Sequence, residues 1–291
     1  GVPAEHRENA FYNGNDALAL TDHGNMNGLA YQVQHAQKMI KEGKDFKPIF
    51  GVEAYFLPSI KEWRKELEKA KENNQKGLNN IFKLVSDSFS RENFYRYPRI
   101  DYDMLKEHNE GVIAASACLG GIYAGNYWEN KDYGEDAVIE AMRETTHNML
   151  EIFKDRWYGE LQWNNIPEQH RINKYIIQLH YEFGIPLIST ADSHYPSQDA
   201  WKDRELYKRL GWLGKGKPPV WLNPELPVNV DEIGYELYPK NGDQMWEAYK
   251  KYSDLVGAEF NDDLIRESIE RTHHIAHNDI ETFLPDNTVR L

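Results

Sequence analysis

Short apolar runs rich in β-branched residues recur along this chain. Each is followed by polar residues and then by a helical apolar pattern. The runs are 17–22 (ALALTD), 47–56 (KPIFGVEAYF), 111–117 (GVIAASA), 157–163 (WYGELQW) and 186–192 (PLISTAD). Between them, Leu29, Val33, Ala36 and Ile40 repeat at helical spacing, as do Ile172, Ile176, Leu179 and Phe183; Val138, Met142, Met149 and Phe153 do so less regularly. Gly43, Gly77 and Gly184 stand where helices should stop. Strands alternating with helices require crossovers between parallel strands. The expected fold is therefore α/β with a mainly parallel sheet, either a barrel or doubly wound. At 291 residues the chain suits one large barrel or about two domains.

Composition narrows the function classes. A single cysteine, Cys118, excludes an intramolecular disulfide framework. No apolar run approaches the length of a membrane span and no signal peptide opens the chain, so a cytoplasmic location and no membrane partner are expected. The net charge of −13, from 47 acidic and 34 basic residues, argues against tight autonomous DNA binding through phosphate neutralisation. Carboxylates that hold cations also count as bare negatives in this sum. The first residue is glycine rather than methionine, which fits a piece of something longer.

Residues 60–76 are nearly all charged or amide and read as a solvated helix or loop. From about Leu210 the pattern changes: Pro218, Pro219, Pro224, Pro227 and Pro239 break the chain, and Trp212 and Trp221 add aromatic bulk. Helices at 242–252 and 262–277 follow. The expected organisation is an α/β body over 1–210 and a C-terminal extension over 211–291.

In βα folds functional groups gather where strands end, because the following loops are free to vary. Asp22 and His23 close the first run, Glu53 lies late in the second, Cys118 follows the third, and Asp192 and His194 close the fifth. A mixed set of carboxylates, imidazoles and one thiolate suits zinc or manganese better than magnesium alone. Two or more divalent ions in such a set can ionise a water and clamp both oxygens of a phosphoester. Taken singly, each residue has a plainer reading: Asp-His-Gly and Asp-Ser-His as helix-capping turns, Cys118 as an inert small hydrophobe. Their shared position at strand ends favours the metal reading. His273, His274 and His277 form a helical H-H-x-x-H that lacks a general-base glutamate or a nearby third ligand, and read as an exposed face. His108 and His170 read as surface, and 214–217 (GKGK) as a turn rather than a phosphate loop. No Gly-x-Ser-x-Gly elbow is present.

The runs ALALTDHGNMNG (17–28) and KPIFGVEAYF (47–56) resemble the PHP (polymerase and histidinol phosphatase) domain of bacterial replicative DNA polymerase III alpha subunits. The order continues with FKLVSDSF (82–89), NFYRYPRID (93–101), EGVIAASACLGG (110–121), YGELQWNNIPEQ (158–169) and GIPLISTADSHYPSQDA (184–200). ESIERTHHIA (267–276) and FLP (283–285) look like the segment that joins that domain to the polymerase palm.

The resemblance implies a distorted (β/α)7 barrel over 1–210 with its first strand missing or incomplete, and a C-terminal helical extension and connector over 211–291. It implies up to three divalent ions at the barrel mouth: zinc or manganese, with magnesium also allowed. It implies metal-dependent 3′–5′ exonuclease chemistry of the proofreading type. The matching metal ligands are Asp22, His23, Glu53, Cys118, Asp192 and His194, with Asp22, His23, Asp192 and His194 placed closest to the chemistry. The implied partners are a DNA 3′ end, the remaining polymerase domains and other replisome subunits. Two departures count against a full complement of metals. The family's opening His-x-His would precede Gly1. The stretch 64–71 (RKELEKAK) carries no histidine where the family expects one, and a charged lysine offers no lone pair. A degenerate, non-catalytic domain scaffolding the polymerase therefore stands as the alternative. A small-molecule phosphatase of the histidinol phosphatase type is a more distant one.

Overall fold

A computed structural model describes residues 2–56, 76–213 and 227–280. The stretch 60–75, with the 64–71 segment and the 214–217 turn, lies outside them, as do Pro218, Pro219, Trp221, Pro224 and 283–285.

The chain opens with α1 (Pro3–Tyr12), which the polar sequence did not announce. Pro3 at its first position is preset for helix, and Glu5 favours the positive N-terminal end. The alternation expected from the sequence then follows: β1 (Ala17–His23), α2 (Leu29–Lys41) and β2 (Lys47–Glu53). Next come α3 (Lys76–Ser88), the short β3 (Phe94–Tyr95) and β4 (Tyr97–Pro98), α4 (Tyr102–His108) and β5 (Ala114–Ala115). Helices α5 (Ile122–Asn130) and α6 (Glu135–Phe153) lead to β6 (Trp157–Gln162), α7 (Pro167–Phe183) and β7 (Leu187–Thr190). Helices α8 (Trp201–Leu213), α9 (Gly242–Tyr252) and α10 (Asp262–His274) complete the order, and α10 runs on into one π-helical turn, Ile275–Asp279.

All five expected strands form, each at or inside its expected run, except that β1 gains His23. β5 is the shortest, for a local reason. Beyond Ala115 the Glu160 N–H is taken by the Ser116 hydroxyl at 2.9 Å, and Ala117 turns the chain aside at φ 62°. Strands β1 and β2 pair in parallel, β5, β6 and β7 form a second parallel ladder in that order, and β3 and β4 an antiparallel hairpin. Among the described residues these ladders do not close into a ring.

The main core lies around β6 and β7. Leu161, Leu179, Ile185 and Leu187 are essentially inaccessible there, and Met142 joins them from α6. Met245, Ala248 and Tyr249 of α9 and Ile265 of α10 belong to the same core, so the C-terminal helices share the body's apolar interior. A smaller cluster joins Tyr195 and Trp201 to Ile233, Leu237 and Tyr238. Among the described residues no helix is long and apolar enough to cross a membrane.

Three expectations need correction. Gly77 does not end a helix but stands in the first turn of α3, where a Cβ would come within 2.2 Å of the Gly111 carbonyl oxygen. Close backbone approach, not chain reversal, requires glycine there. His170 is fully buried: its ring lies 5.8 Å from that of Trp163 and its Nε2 donates to the Asn164 carbonyl at 2.7 Å. His108 is also buried, with Nε2 3.4 Å from an Asp87 carboxylate oxygen. Both were misread because neighbours in sequence point to different sides of a helix, so polar flanks do not reveal which face a residue occupies.

Candidate metal centre

Parallel pairing sets the geometry of the first two strand ends. The register places His23 opposite Glu53, and the imidazole Nδ1 lies 3.4 Å from a Glu53 carboxylate oxygen. Alternation along a strand sends the neighbouring Asp22 to the other face. Its carboxylate accepts the Gly28 N–H at 3.2 Å, at the start of α2. Gly28 has no side chain with which to cap that helix, so Asp22 performs the capping role that the isolated Asp-His-Gly reading assigned to it.

The second ladder supplies the other wall. Beyond β7, Asp192 sits at φ 48°, and beyond β5 the residue before Cys118, Ala117, sits at φ 62°. Two non-glycine residues in the left-handed region cost energy that the surroundings must offset, and both lie at this mouth. His194 Nδ1 lies 2.7 Å from the Asp192 carbonyl oxygen and 3.8 Å from its carboxylate. A carbonyl can only accept, so Nδ1 carries a proton, and in the neutral imidazole the lone pair is then on Nε2. A metal-ligating histidine is ordinarily oriented this way. The rings of His23 and His194 face each other across the two ladders with centroids 6.1 Å apart.

Electrostatics point to the same clustering. Burial raises the Glu53 pKa; His23 and His194 offset this, while Asp192 adds to it. Burial pushes the Cys118 thiol up to about 12, with further contributions from Asp192, Glu53 and Glu160. A thiol and two carboxylates within electrostatic reach of one another are a poor arrangement without positive charge and a suitable one for a divalent cation. On donor chemistry and histidine orientation, Glu53, Cys118, Asp192, His23 and His194 fit such a group. Their ligand atoms are not drawn tightly together, however. Among the described residues the group of His, Cys, Asp and Glu atoms lying within 4.8 Å of one another is Asp16, His273 and His277.

Two mouth residues escaped the sequence reading. Glu160 lies inside β6 rather than at its end, and its carboxylate accepts from Ala117 N–H at 3.1 Å, from the Gln162 amide at 3.3 Å and from the Thr190 hydroxyl. Burial raises its pKa and those donors pull it back. A carboxylic acid in a strand that also carries Trp157, Tyr158 and Leu161 was the available signal. His6 of α1 is 7% exposed, its Nδ1 has no hydrogen-bond partner, and the charge of His194 reaches it.

Burial lowers the His6 pKa from about 6.5 to about 4. The folded state therefore refuses a proton that the unfolded chain accepts between those values, and stability is lost as pH falls from about 6.5 towards 4. After discounting for residual solvent screening, the loss expected from His6 is about 1–2 kcal/mol. Urea midpoints at pH 7 and pH 4.5 should show it, and His6→Gln should flatten that part of the difference.

The segment around Leu237 is bonded to the backbone beside this mouth. The Leu237 carbonyl accepts both His194 N–H at 2.8 Å and Tyr195 N–H at 3.1 Å, and Leu237 N–H donates to the Tyr195 hydroxyl at 2.8 Å. Tyr235 lies within electrostatic reach of Cys118 and Asp192.

Comparison with known proteins adds an independent line. The PHP domain family matches residues 3–164 of this chain. DNA polymerase III subunit alpha of Borreliella burgdorferi is 32% identical over 269 residues, which is 89% of this chain and 20% of that protein. The same subunit of Campylobacter jejuni is 31% identical over 277 residues, 90% of this chain and 20% of that protein. In Aquifex aeolicus the subunit is 36% identical over 197 residues, 62% of this chain and 16% of that protein. The chain thus spans about a fifth or less of the length of these relatives.

Proposed function

The chain belongs to the PHP domain family, and on that premise we propose that it is the PHP domain of a DNA polymerase III alpha-like replicative polymerase, hydrolysing phosphodiesters in the 3′–5′ exonuclease sense. The observation that carries this reading is the orientation of His194, whose Nδ1 donates to the Asp192 carbonyl so that the neutral ring keeps its lone pair on Nε2, in a ring 6.1 Å from that of His23, itself paired with Glu53. In this reading the two parallel ladders are arcs of a distorted (β/α)7 barrel. Residues 211–291 connect it towards the polymerase palm, and the domain works in the cytoplasm with a DNA 3′ end and other replisome subunits.

Glu53, Asp192 and the Cys118 thiolate would hold zinc or manganese with His23 and His194, and Asp22 would fix the first turn of α2 beside them. Divalent cations so held supply the charge that acidifies a water and offsets charge developing on phosphoryl oxygens. The chain's own contribution is positional. Gly28 N–H anchors Asp22, and the Asp192 carbonyl holds the His194 ring. The left-handed turns at Ala117 and Asp192 set the course of the loops that carry Cys118 and His194.

A second reading, a domain that scaffolds the polymerase without catalysis, draws support from the spread of the mouth donors and from the lack of histidine in 64–71. Incubating the purified protein with Mn²⁺ or Zn²⁺ and a 3′-labelled primer separates the two. Release of labelled mononucleotide, abolished by chelator, is the expected result. An intact primer together with substoichiometric bound metal would favour the scaffold, and turnover of a small phosphate monoester alone would favour the phosphatase branch.

A further inference from the structure

The opposite end of the strands carries a separate constellation. Asp16 immediately precedes β1, which is seven residues long, so it lies about 20 Å from the mouth at about 3.3 Å per residue. His273, in the last turn of α10, and His277, in the π-helical turn that follows, face it together. His273 Nδ1 and His277 Nε2 each lie 3.1 Å from the same Asp16 oxygen, Oδ2, and the two rings are 4.3 Å apart at their centroids. The sequence showed the histidine pair at i and i+4 but not its third member, which comes from 257 residues earlier in the chain.

We propose that Asp16, His273 and His277 form a divalent transition-metal site, of the kind zinc occupies with one carboxylate and two imidazoles, with its fourth position open to water. Around a tetrahedral zinc ion with bonds of about 2.0–2.1 Å, neighbouring donor atoms stand about 3.3 Å apart. Both nitrogen-to-oxygen separations here are close to that edge. One carboxylate oxygen is shared by two imidazole nitrogens, and the three donor atoms all lie within 4.8 Å of one another. The site ties the C-terminal helix to the strand entrance. Lys47, which opens β2 opposite Ala17, makes a parallel tie by donating its ammonium to the Ile280 carbonyl at 2.5 Å. Conserving position rather than performing chemistry is the role expected at the N-terminal face of such strands.

The test is Zn²⁺ titration by calorimetry on the protein, its His273→Ala/His277→Ala double variant and Asp192→Asn. Co²⁺ absorption should report tetrahedral nitrogen–oxygen coordination. The double variant is expected to bind one zinc fewer than the parent and to lose most of its zinc-induced rise in melting temperature, whereas Asp192→Asn keeps the Asp16 site. An unchanged stoichiometry and thermal response in the double variant overturns the proposal. Asp16→Asn, which removes only the anionic donor from an exposed position, provides a second check should the double variant misfold. At least tenfold weaker binding at one site is expected there, and undiminished binding overturns the proposal equally.

Discussion

Replacing Gly121 by alanine is expected to cost the fold about 3 kcal/mol, a fall in melting temperature of roughly 6–10 °C. Gly121 caps α5 and packs flat against the loop after β5. A Cβ there would come within 2.2 Å of the Ser116 carbonyl oxygen, 2.9 Å of the Ala117 Cβ and 3.0 Å of the Cys118 carbonyl oxygen. Two of these atoms are backbone, so no side-chain rotation relieves the clash. The loop itself must move, and it carries the Ala117 turn and Cys118. The substitution should therefore weaken metal binding at the mouth as well as stability. Gly125 on the same helix is the control: a Cβ there meets nothing within 4 Å, and alanine should stabilise by about 0.5–1 kcal/mol through helix propensity. Thermal melts of the two variants should shift in opposite directions. Equal melts for Gly121→Ala and the parent would show that the loop yields freely and is not a rigid support.

The second large effect concerns chemistry. Asp192→Asn is expected to lower metal-dependent release of a 3′ nucleotide on the order of 10²-fold or more, by analogy with the loss of a single preorganised polar group or metal support. Asparagine is chosen because, of the uncharged side chains, it best tolerates the left-handed backbone that Asp192 adopts at φ 48°. It therefore keeps the carbonyl that orients His194 and removes only the carboxylate charge. An alanine at this position would add backbone strain and confuse the result. Activity within threefold of the parent, measured at saturating Mn²⁺, would remove Asp192 from the machinery. Removing the same charge should also ease the ionisation of Cys118, because Asp192 is among the groups that hold its thiol up.

Much of this was legible in the sequence where the physics is local. The apolar runs at 17–22 and 186–192 became strands because β-branched, alternating or wholly buried segments have few other stable solutions. Strand ends carry loops, so His23, Glu53, Asp192 and His194 could be placed together without coordinates. Asp22 shows what letters leave open: one step along a strand reverses the facing direction, and its carboxylate is engaged by the Gly28 N–H at the start of α2. Glu160 and His6 were hidden because their roles depend on what packs over them, and α1 was hidden because two of its three buried positions, His6 and Arg7, are polar. The Asp16–His273–His277 group was unreadable for a third reason. Its members are separated by nearly the whole chain, and only the packing of α10 against the strand entrances brings them into range.

The Leu237 carbonyl that grips the His194 and Tyr195 amides has a mechanical consequence. A load applied to the polypeptide around residue 237 is delivered to the backbone that presents the His194 ring. It passes through the Leu237 carbonyl, the Leu237 N–H bond to the Tyr195 hydroxyl and the apolar packing of the same two side chains. Pulling on that strap would tug a donor out of the mouth, and slack would let it settle back. The strap is thus also a lever on the spacing of the groups it holds.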